Sequence, residues 1–336
     1  MAVKYSSVRG LDRVLRLRSG RGERSTEIAS LSASPLVLSE VASRDAALWW
    51  LLMVRGHGRK RGPRRTLAMA LIAALAVPAT AAESPWSAAR TPTPGPARVI
   101  GGAANGCLAG AAALPADGPG FATIRLSRHR NYGHPDTIAY VERLGRATQA
   151  AQLAPFYVGD MAQPRGGPMP SGHGSHMNGM DVDIWFNLDP KPVLPPAARE
   201  EVDLPSMVLP DKSAIDPKRF GARQVTLLRL AVADPRVDRI FVHATIKQAL
   251  CDMADHSWLH KIRPWYGHDE HFHIRLSCPA GSPDCVGQAA VPPGDGCDAS
   301  LDWWLQPHPP TPGLPAVPKP PKPKLPAQCA AVIGEE

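Results

Sequence analysis

The sequence predicts an α+β fold: a single domain with a central, mainly antiparallel sheet, flanked by helices and stapled by disulfides. Two observations lead there. Between residues 107 and 305, stretches with helical apolar spacing alternate with short β-branched and aromatic runs, and no internal repeat is present. All six cysteines follow an export-type segment, and an even count in an exported chain suits three disulfides.

The N-terminal part is unlike the rest. The formal net charge is +8, yet residues 1–82 hold 14 Lys/Arg against 5 Asp/Glu, which leaves 24 against 25 for the remainder. The basic excess is therefore local, the body is neutral, and a nucleic-acid-binding role loses its support. Within the basic part, "RGHGRKRGPRR" (55–65), "TLAMALIAALAV" and "PATAA" read as the charged, apolar and cleavage regions of a signal peptide. Cleavage is expected near Ala81, and the apolar run is too short to span a bilayer comfortably. Residues 53–81 then form the signal, with translation starting at Met53 and residues 1–52 an over-extended N-terminus. The alternative is a long presequence, or an anchor that includes "LWWLLMV". Arg64-Arg65 fits a twin-arginine signal only loosely, so the export route stays open.

Residues 82–106, rich in Ala, Pro, Ser and Gly, read as a linker to the domain at 107–305. Inside it, "HPDTIAYVERLGRATQAAQ" (134–152) spaces Tyr140, Val141, Leu144, Ala147 and Ala151 as one helical face, with Asp136 as its expected cap. "FYVGDM" and "GMDVDIWF" read as strands, the second placing Asp181, Asp183 and Trp185 on one face. "PKRFGARQVTLLRLAVAD" reads as a helix, "RVDRIFVHAT" as a strand, "IKQALCDMADH" as a helix and "HFHIRLSC" as a last strand. Residues 306–336 form a proline-rich tail, of which 306–327, with ten prolines, is largely extended polyproline II and unable to supply a core, while Cys329 beyond it would tie the tail back to the body if it pairs.

Five of the 12 histidines crowd into "SGHGSHMNGMDVD" (171–183) and "GHDEHFHIRL" (267–276). His176 and Asp183 are spaced H-x6-D, with Gly179 permitting a tight turn between loop and strand. His271 and His273 form H-x-H in a strand, so both face the same side. One can ligate a metal while the other stays free as a proton acceptor, which gives two nitrogens, one oxygen and a base, the needs of a hydrolytic zinc site. Each motif alone is weak. Together they carry more, because Asp181 and Asp183 interrupt an apolar strand and buried carboxylates are expensive without a cation or donors. Ser171 lacks a G-x-S-x-G setting and is no nucleophile candidate. The absence of any C-x-x-C removes a zinc-ribbon reading.

The stretches "NYGHPDTIAYVERL", "GDMAQPRGGPMPSGHGSHMNGMDVDIWF", "RIFVHATIKQALC", "WYGHDEHFHIRLSCP" and "GDGCDASLDWW" resemble the penicillin-insensitive murein endopeptidases. These are exported zinc peptidases of the wider group that includes lysostaphin, the D-Ala-D-Ala metallopeptidases and the hedgehog domain. The similarity runs from Ala104 to Cys329.

The resemblance implies that His176, Asp183 and His273 bind Zn2+, that His271 is the general base, and that His268 orients or stabilises. It makes His173 an accessory ligand or a supporting partner of the site. In "LPSMVLPDKSAID", Asp211 is the candidate for a second metal, with no histidine following it. The implied disulfides are Cys107–Cys329, Cys251–Cys297 and Cys278–Cys285. The implied substrate is cross-linked peptidoglycan, chiefly its D-alanyl–meso-diaminopimelyl bond, cut in the periplasm without inhibition by penicillin. Tyr132, His134 and Arg165 are candidates to line the cleft, Arg165 either meeting a substrate carboxylate or standing in solvent. A D-Ala-D-Ala carboxypeptidase or dipeptidase, or a non-catalytic wall-binding protein, would use the same scaffold. No nucleic acid and no membrane insertion after signal removal are expected; a homodimer stays open.

Overall fold

The computed structural model describes residues 84–170, 173–190, 192, 194–306 and 324–334. The expected N-terminus (1–52) and signal (53–81), Ser171, and the proline-rich residues 307–323 lie outside the described residues. Those described all belong to one unit, residues 77–336. No helix among them is long and apolar enough to cross a membrane.

The centre is a seven-stranded sheet. Its strands are β4 (Asp117–Gly118), β5 (Phe121–Thr123), β7 (Phe156–Val158), β8 (Asp181–Trp185), β9 (Val237–Val242), β10 (Ile262–Pro264) and β11 (His271–Leu276), in the order β10-β9-β11-β8-β7-β5-β4. The pairs β9–β11, β11–β8, β8–β7 and β5–β4 are antiparallel, while β10–β9 and β5–β7 are parallel. The sheet is therefore mainly antiparallel, as the sequence predicts.

Alternation along the central strands separates two faces. One carries Val158, Val182, Ile184, Ile240, Val242, Phe272 and Ile274, all fully buried. Helices α2 (Pro135–Ala150), α3 (Ala222–Val232) and α4 (Ala244–Cys251) cover it with Tyr140, Val141, Leu144, Leu227, Leu228, Ile246 and Leu250. Tyr140 donates to the Ala231 carbonyl at 3.0 Å, so its buried hydroxyl is satisfied. The opposite face carries Asp181, Asp183 and Trp185 on β8 beside Arg275, His273 and His271 on β11.

The cap of α2 differs from expectation. His134, not Asp136, precedes the helix, and its Nδ1 accepts from the Asp136 N–H at 3.2 Å. Pro135 fills the first helical position, where its missing N–H is harmless, and the helix starts two residues earlier than a cap at Asp136 would place it.

The stretch expected as a linker is ordered. After α1 (Pro85–Ala88), β1 (Arg98–Gly102) and β2 (Asn105–Ala109) form a hairpin that buries Val99, Ile100, Cys107 and Leu108 completely. Its small residues are required by close approach: a Cβ on Gly106 would lie 2.4 Å from the Ile100 carbonyl oxygen. Composition alone concealed a strand pair. A second short pair, β3 (Ala112–Ala113) and β6 (Tyr132–Gly133), joins the hairpin region to the start of α2.

Three disulfides connect Cys107 to Cys329, Cys251 to Cys297, and Cys278 to Cys285, and no cysteine is free. The first binds α6 (Cys329–Gly334) against β2 across 222 residues. Beyond the proline-rich stretch, Cys329 and Val332 are buried with Ile100, Cys107 and Trp86.

Candidate metal centre

The ionic face of the sheet gathers the site. In the β8–β11 register, His271 faces Trp185, His273 faces Asp183 and Arg275 faces Asp181. Asp183 Oδ1 lies 3.2 Å from His273 Nδ1, 3.4 Å from His176 Nε2 and 3.8 Å from His271 Nε2. His173 Nδ1 is 3.8 Å from Asp183 Oδ2. Potential ligand atoms of His173, His176 and Asp183, and likewise those of His176, Asp181 and His273, lie within 4.8 Å of one another. The structure thus brings together every histidine and aspartate named for the centre except His268, which sits one ring away: its imidazole is 5.0 Å from that of His271 and 5.8 Å from that of His273.

The loop that delivers His176 is held from several sides. Met177 N–H donates to the Ala103 carbonyl at 2.9 Å, Asn178 Nδ2 to the Gly101 carbonyl at 3.3 Å, and Thr137 Oγ1 to the Gly179 carbonyl at 2.8 Å. The β1–β2 hairpin, taken for a linker in the sequence, therefore braces the loop that carries His176. Gly179 has φ +77° and a Cβ there would sit 2.4 Å from Leu108, so the tight turn does require glycine. His176 itself has φ +67°, a strained conformation for a non-glycine residue. Its backbone N–H donates to Asp181 Oδ2 at 3.0 Å, which secures that conformation.

The two aspartates of "DVD" have different tasks. Asp181 is fully buried and receives both Arg275 Nε (2.8 Å) and Arg275 Nη2 (2.9 Å), so its charge is met without a metal. Arg275, two residues past His273, is thus the donor that satisfies one of the two carboxylates. Asp183 has no arginine or lysine partner among the described residues and faces imidazoles alone. Buried and unpaired in its hydrogen bonding are Asp183 Oδ1, both ring nitrogens of His176, and His273 Nε2.

Asp160 supports the cluster from behind. Its Oδ2 takes His173 Nε2 at 2.8 Å and Arg130 Nη1 at 2.8 Å. A histidine held by a carboxylate at one nitrogen presents the other with fixed orientation, the usual support of a metal-ligating imidazole. Burial pushes the Asp160 carboxyl up, but the His173 hydrogen bond and Arg130 outweigh it and bring its pKa down to about 2. Neither Asp160 nor Arg275 was singled out in the sequence. The signal for Arg275 was its two-residue spacing from His273; for Asp160 there was only an acidic residue ending an apolar strand.

The electrostatics divide the histidines. Burial works against charge on His273, but Asp181 and Asp183 override it and raise its pKa to about 9. Burial lowers His271, with His273 and His176 adding to the effect against Asp183. Burial, then His271 and His273, takes His268 down to about 4. Asp183, despite burial, is held well below the usual carboxylate range by His176 and His271.

A cleft of about 570 Å³ opens over this face, lined by His176, His268 and His273 on the floor, Gly102–Asn105 on one side, and Phe241, Trp265 and Tyr266 on the other. The remaining sequence candidates lie off it. Tyr132, on β6, pairs with Ala113 of β3, and His134 caps α2. Arg165 is buried and donates to the Thr91, Val332 and Ile333 carbonyls at 3.2 Å each, so it meets neither solvent nor substrate. Its guanidinium instead satisfies the last carbonyls of α6. Asp211 is exposed, accepts from Ser213 N–H at 3.1 Å and Ser213 Oγ at 2.7 Å, and belongs to none of the metal-capable clusters among the described residues. A third cluster, His256, Asp295 and Cys297, lacks a thiolate because Cys297 is disulfide-bonded.

Residues 99–334 match the family described as penicillin-insensitive murein endopeptidase. Proteins of that name share 45% identity over 235 residues in Haemophilus influenzae (68% of this chain, 80% of the relative) and 41% over 272 residues in Yersinia enterocolitica (78% and 95%). The relative in Klebsiella pneumoniae is 40% identical over 274 residues (80% and 97%). The match covers the hairpin, the sheet, the histidine–aspartate face and the C-terminal helix alike, and on that extent the chain belongs to the penicillin-insensitive murein endopeptidase family.

Proposed function

We propose that the protein is a zinc-dependent endopeptidase of the periplasm that hydrolyses peptide cross-links of peptidoglycan, chiefly the D-alanyl–meso-diaminopimelyl bond. The observation that carries the metal is Asp183 Oδ1, buried among three imidazoles while it and both nitrogens of His176 lack hydrogen-bond partners. Buried polar atoms are rarely left in that state without a ligand to satisfy them. The donor set of imidazoles and one carboxylate suits zinc. The relatives' name supports the substrate, and three disulfides support an oxidising compartment.

In this reading His176, Asp183 and His273 hold the ion, and His173 joins them with Asp160 fixing its ring. Bound there, zinc supplies acidification of a water and polarisation of the scissile carbonyl. The residues do the rest. His271, kept neutral by burial beside the Trp185 ring, accepts the water's proton at an imidazole nitrogen and returns it to the leaving amine. His268 Nδ1–H donates to the Tyr266 carbonyl at 2.7 Å, which leaves Nε2 as an acceptor. With its pKa near 4, His268 orients partners as a neutral ring rather than as a cation. No acyl-serine forms on this route, which accounts for insensitivity to penicillin, an acylating agent of serine enzymes.

The test is incubation with purified cross-linked muropeptide dimer, with and without chelator, read by mass spectrometry. Monomers that stop forming with chelator and return with zinc support the proposal. An intact dimer after confirmed zinc loading overturns it, and consumption of monomeric pentapeptide instead would identify a carboxypeptidase.

A further inference from the structure

One wall of the cleft is aromatic and open to solvent. From His273 the rings run outward: Phe241 at 5.4 Å between centroids, then Trp265 at 5.4 Å from Phe241, then Trp304 at 5.5 Å from Trp265. Tyr266 lies 4.9 Å from Trp304, and Trp303 meets Trp304 edge-on at 5.0 Å. Trp265 is 46% and Tyr266 60% exposed, an unusual cost for rings that the core could have buried. The wall is rigidly mounted. Trp265 N–H donates to the Val242 carbonyl at 2.9 Å, while α5 (Ala299–Leu305), which carries both tryptophans, is anchored by buried Leu301. The Cys251–Cys297 disulfide lies just before that helix.

We infer that this wall of Trp265, Tyr266 and Trp304 binds the sugar rings of the glycan strand, so that the enzyme acts on cross-links while they are still attached to glycan. Because the wall opens from the same cleft, its occupant is tied to the peptidoglycan reading above. The chemistry selects the sugar. The stem peptides of peptidoglycan consist of small alanines and of residues with carboxylates and amines, none of which presents a broad apolar face. A pyranose ring does: its C–H groups form a flat face and its hydroxyls point outward from the rim. Exposed aromatic rings, with an apolar body and polar tips on Tyr and Trp, match that division. Phe241, Trp265 and Tyr266 line the cleft together with His273, and Trp304 extends them through its contacts with Trp265 and Tyr266, so a sugar on this wall and a peptide bond at the histidines belong to one bound molecule.

The experiment compares two cross-linked dimers with the same scissile bond, one carrying its disaccharides and one with the sugars removed. Wild-type kcat/KM is expected to favour the sugar-bearing dimer by about three- to tenfold, chiefly through KM, the range of one or two aromatic contacts. In Tyr266→Ala and Trp304→Ala that ratio falls towards unity, and Trp304→Phe retains most of it. The ratio is taken within each variant, so a partial folding defect does not disturb it. Peptide-free glycan strands should also quench wild-type tryptophan fluorescence saturably, with the quench lost in Trp304→Ala. Equal wild-type efficiency on both dimers, or a ratio unchanged in both alanine variants, overturns the glycan wall and leaves the endopeptidase reading intact. Failure of the zinc-loaded enzyme on both dimers overturns the endopeptidase reading itself.

Discussion

Asp183 Oδ1 and His273 Nδ1 stand 3.2 Å apart on registered positions of β8 and β11, and no lysine or arginine pairs with the carboxylate among the described residues. The sheet register, not a flexible loop, sets this pair, so its geometry exists before any metal arrives. Asp183→Asn keeps the shape and removes the charge. It is expected to lose metal after dialysis and to reduce cross-link cleavage by more than about 100-fold, beyond the range for a ligand's supporting partner. Full metal content by atomic emission together with wild-type turnover would refute Asp183 as a ligand.

His173 is distinguished from its neighbours by Asp160, whose Oδ2 is 2.8 Å from its Nε2. If the imidazole ligates through Nδ1, removing that support weakens metal binding by about 10- to 100-fold. Competition of Asp160→Asn and wild type against a chromogenic chelator measures this directly. Unchanged affinity would leave His173 outside the ligand set.

How far the site could be read from sequence follows from what kind of feature places each residue. Period-2 alternation put Asp181, Asp183 and Trp185 on one face of β8 and His271 with His273 on one face of β11, and the β8–β11 register then sets the two groups side by side on the same face of the sheet. Helix α2 was equally legible, because Tyr140, Val141 and Leu144 repeat at the helical period. What stayed hidden depends on contacts distant in sequence. Arg275 neutralises Asp181 from 94 residues away, and its spacing from His273 gives its face of the strand but not its partner. The β1–β2 hairpin carries Gly101, Gly102 and Gly106 where its strands approach closely, and those glycines, with Ala103 and Ala104 in the turn, imitate a linker.

Arg165 shows the difference between a residue type and its setting. A loop arginine in an enzyme of acidic substrate invites a binding role, yet here three carbonyls hold it inside the protein. Arg165→Ala leaves those carbonyls of α6 and Thr91 without their donor, at a cost of about 1–3 kcal/mol. Chemical denaturation should show the loss, and KM on the muropeptide dimer should stay at the wild-type value. A raised KM with unchanged stability would return Arg165 to the substrate.

Lys247 provides a pH signature away from the metal. Its side chain is fully buried, with Nζ donating to the Leu259 carbonyl at 3.3 Å and to the Asp295 carbonyl. Burial, aided by nearby Arg263, lowers its pKa from 10.5 to about 8. The folded protein therefore releases this proton near pH 8, while the unfolded chain keeps it until about 10.5. Between those values the unfolded state binds more protons, so this group's contribution to stability rises with pH. Below about 8 both states hold the proton and the burial penalty is present in full. Lys247→Met abolishes the titration. From pH 7 to 10, thermal midpoints of wild type are expected to gain on those of Lys247→Met, by roughly 2–4 °C for each kcal/mol recovered in a protein of this size. Taking the difference between the two proteins cancels the titrations they share. A gap that is flat or moves the other way would mean that the Lys247 ammonium is as well solvated folded as unfolded.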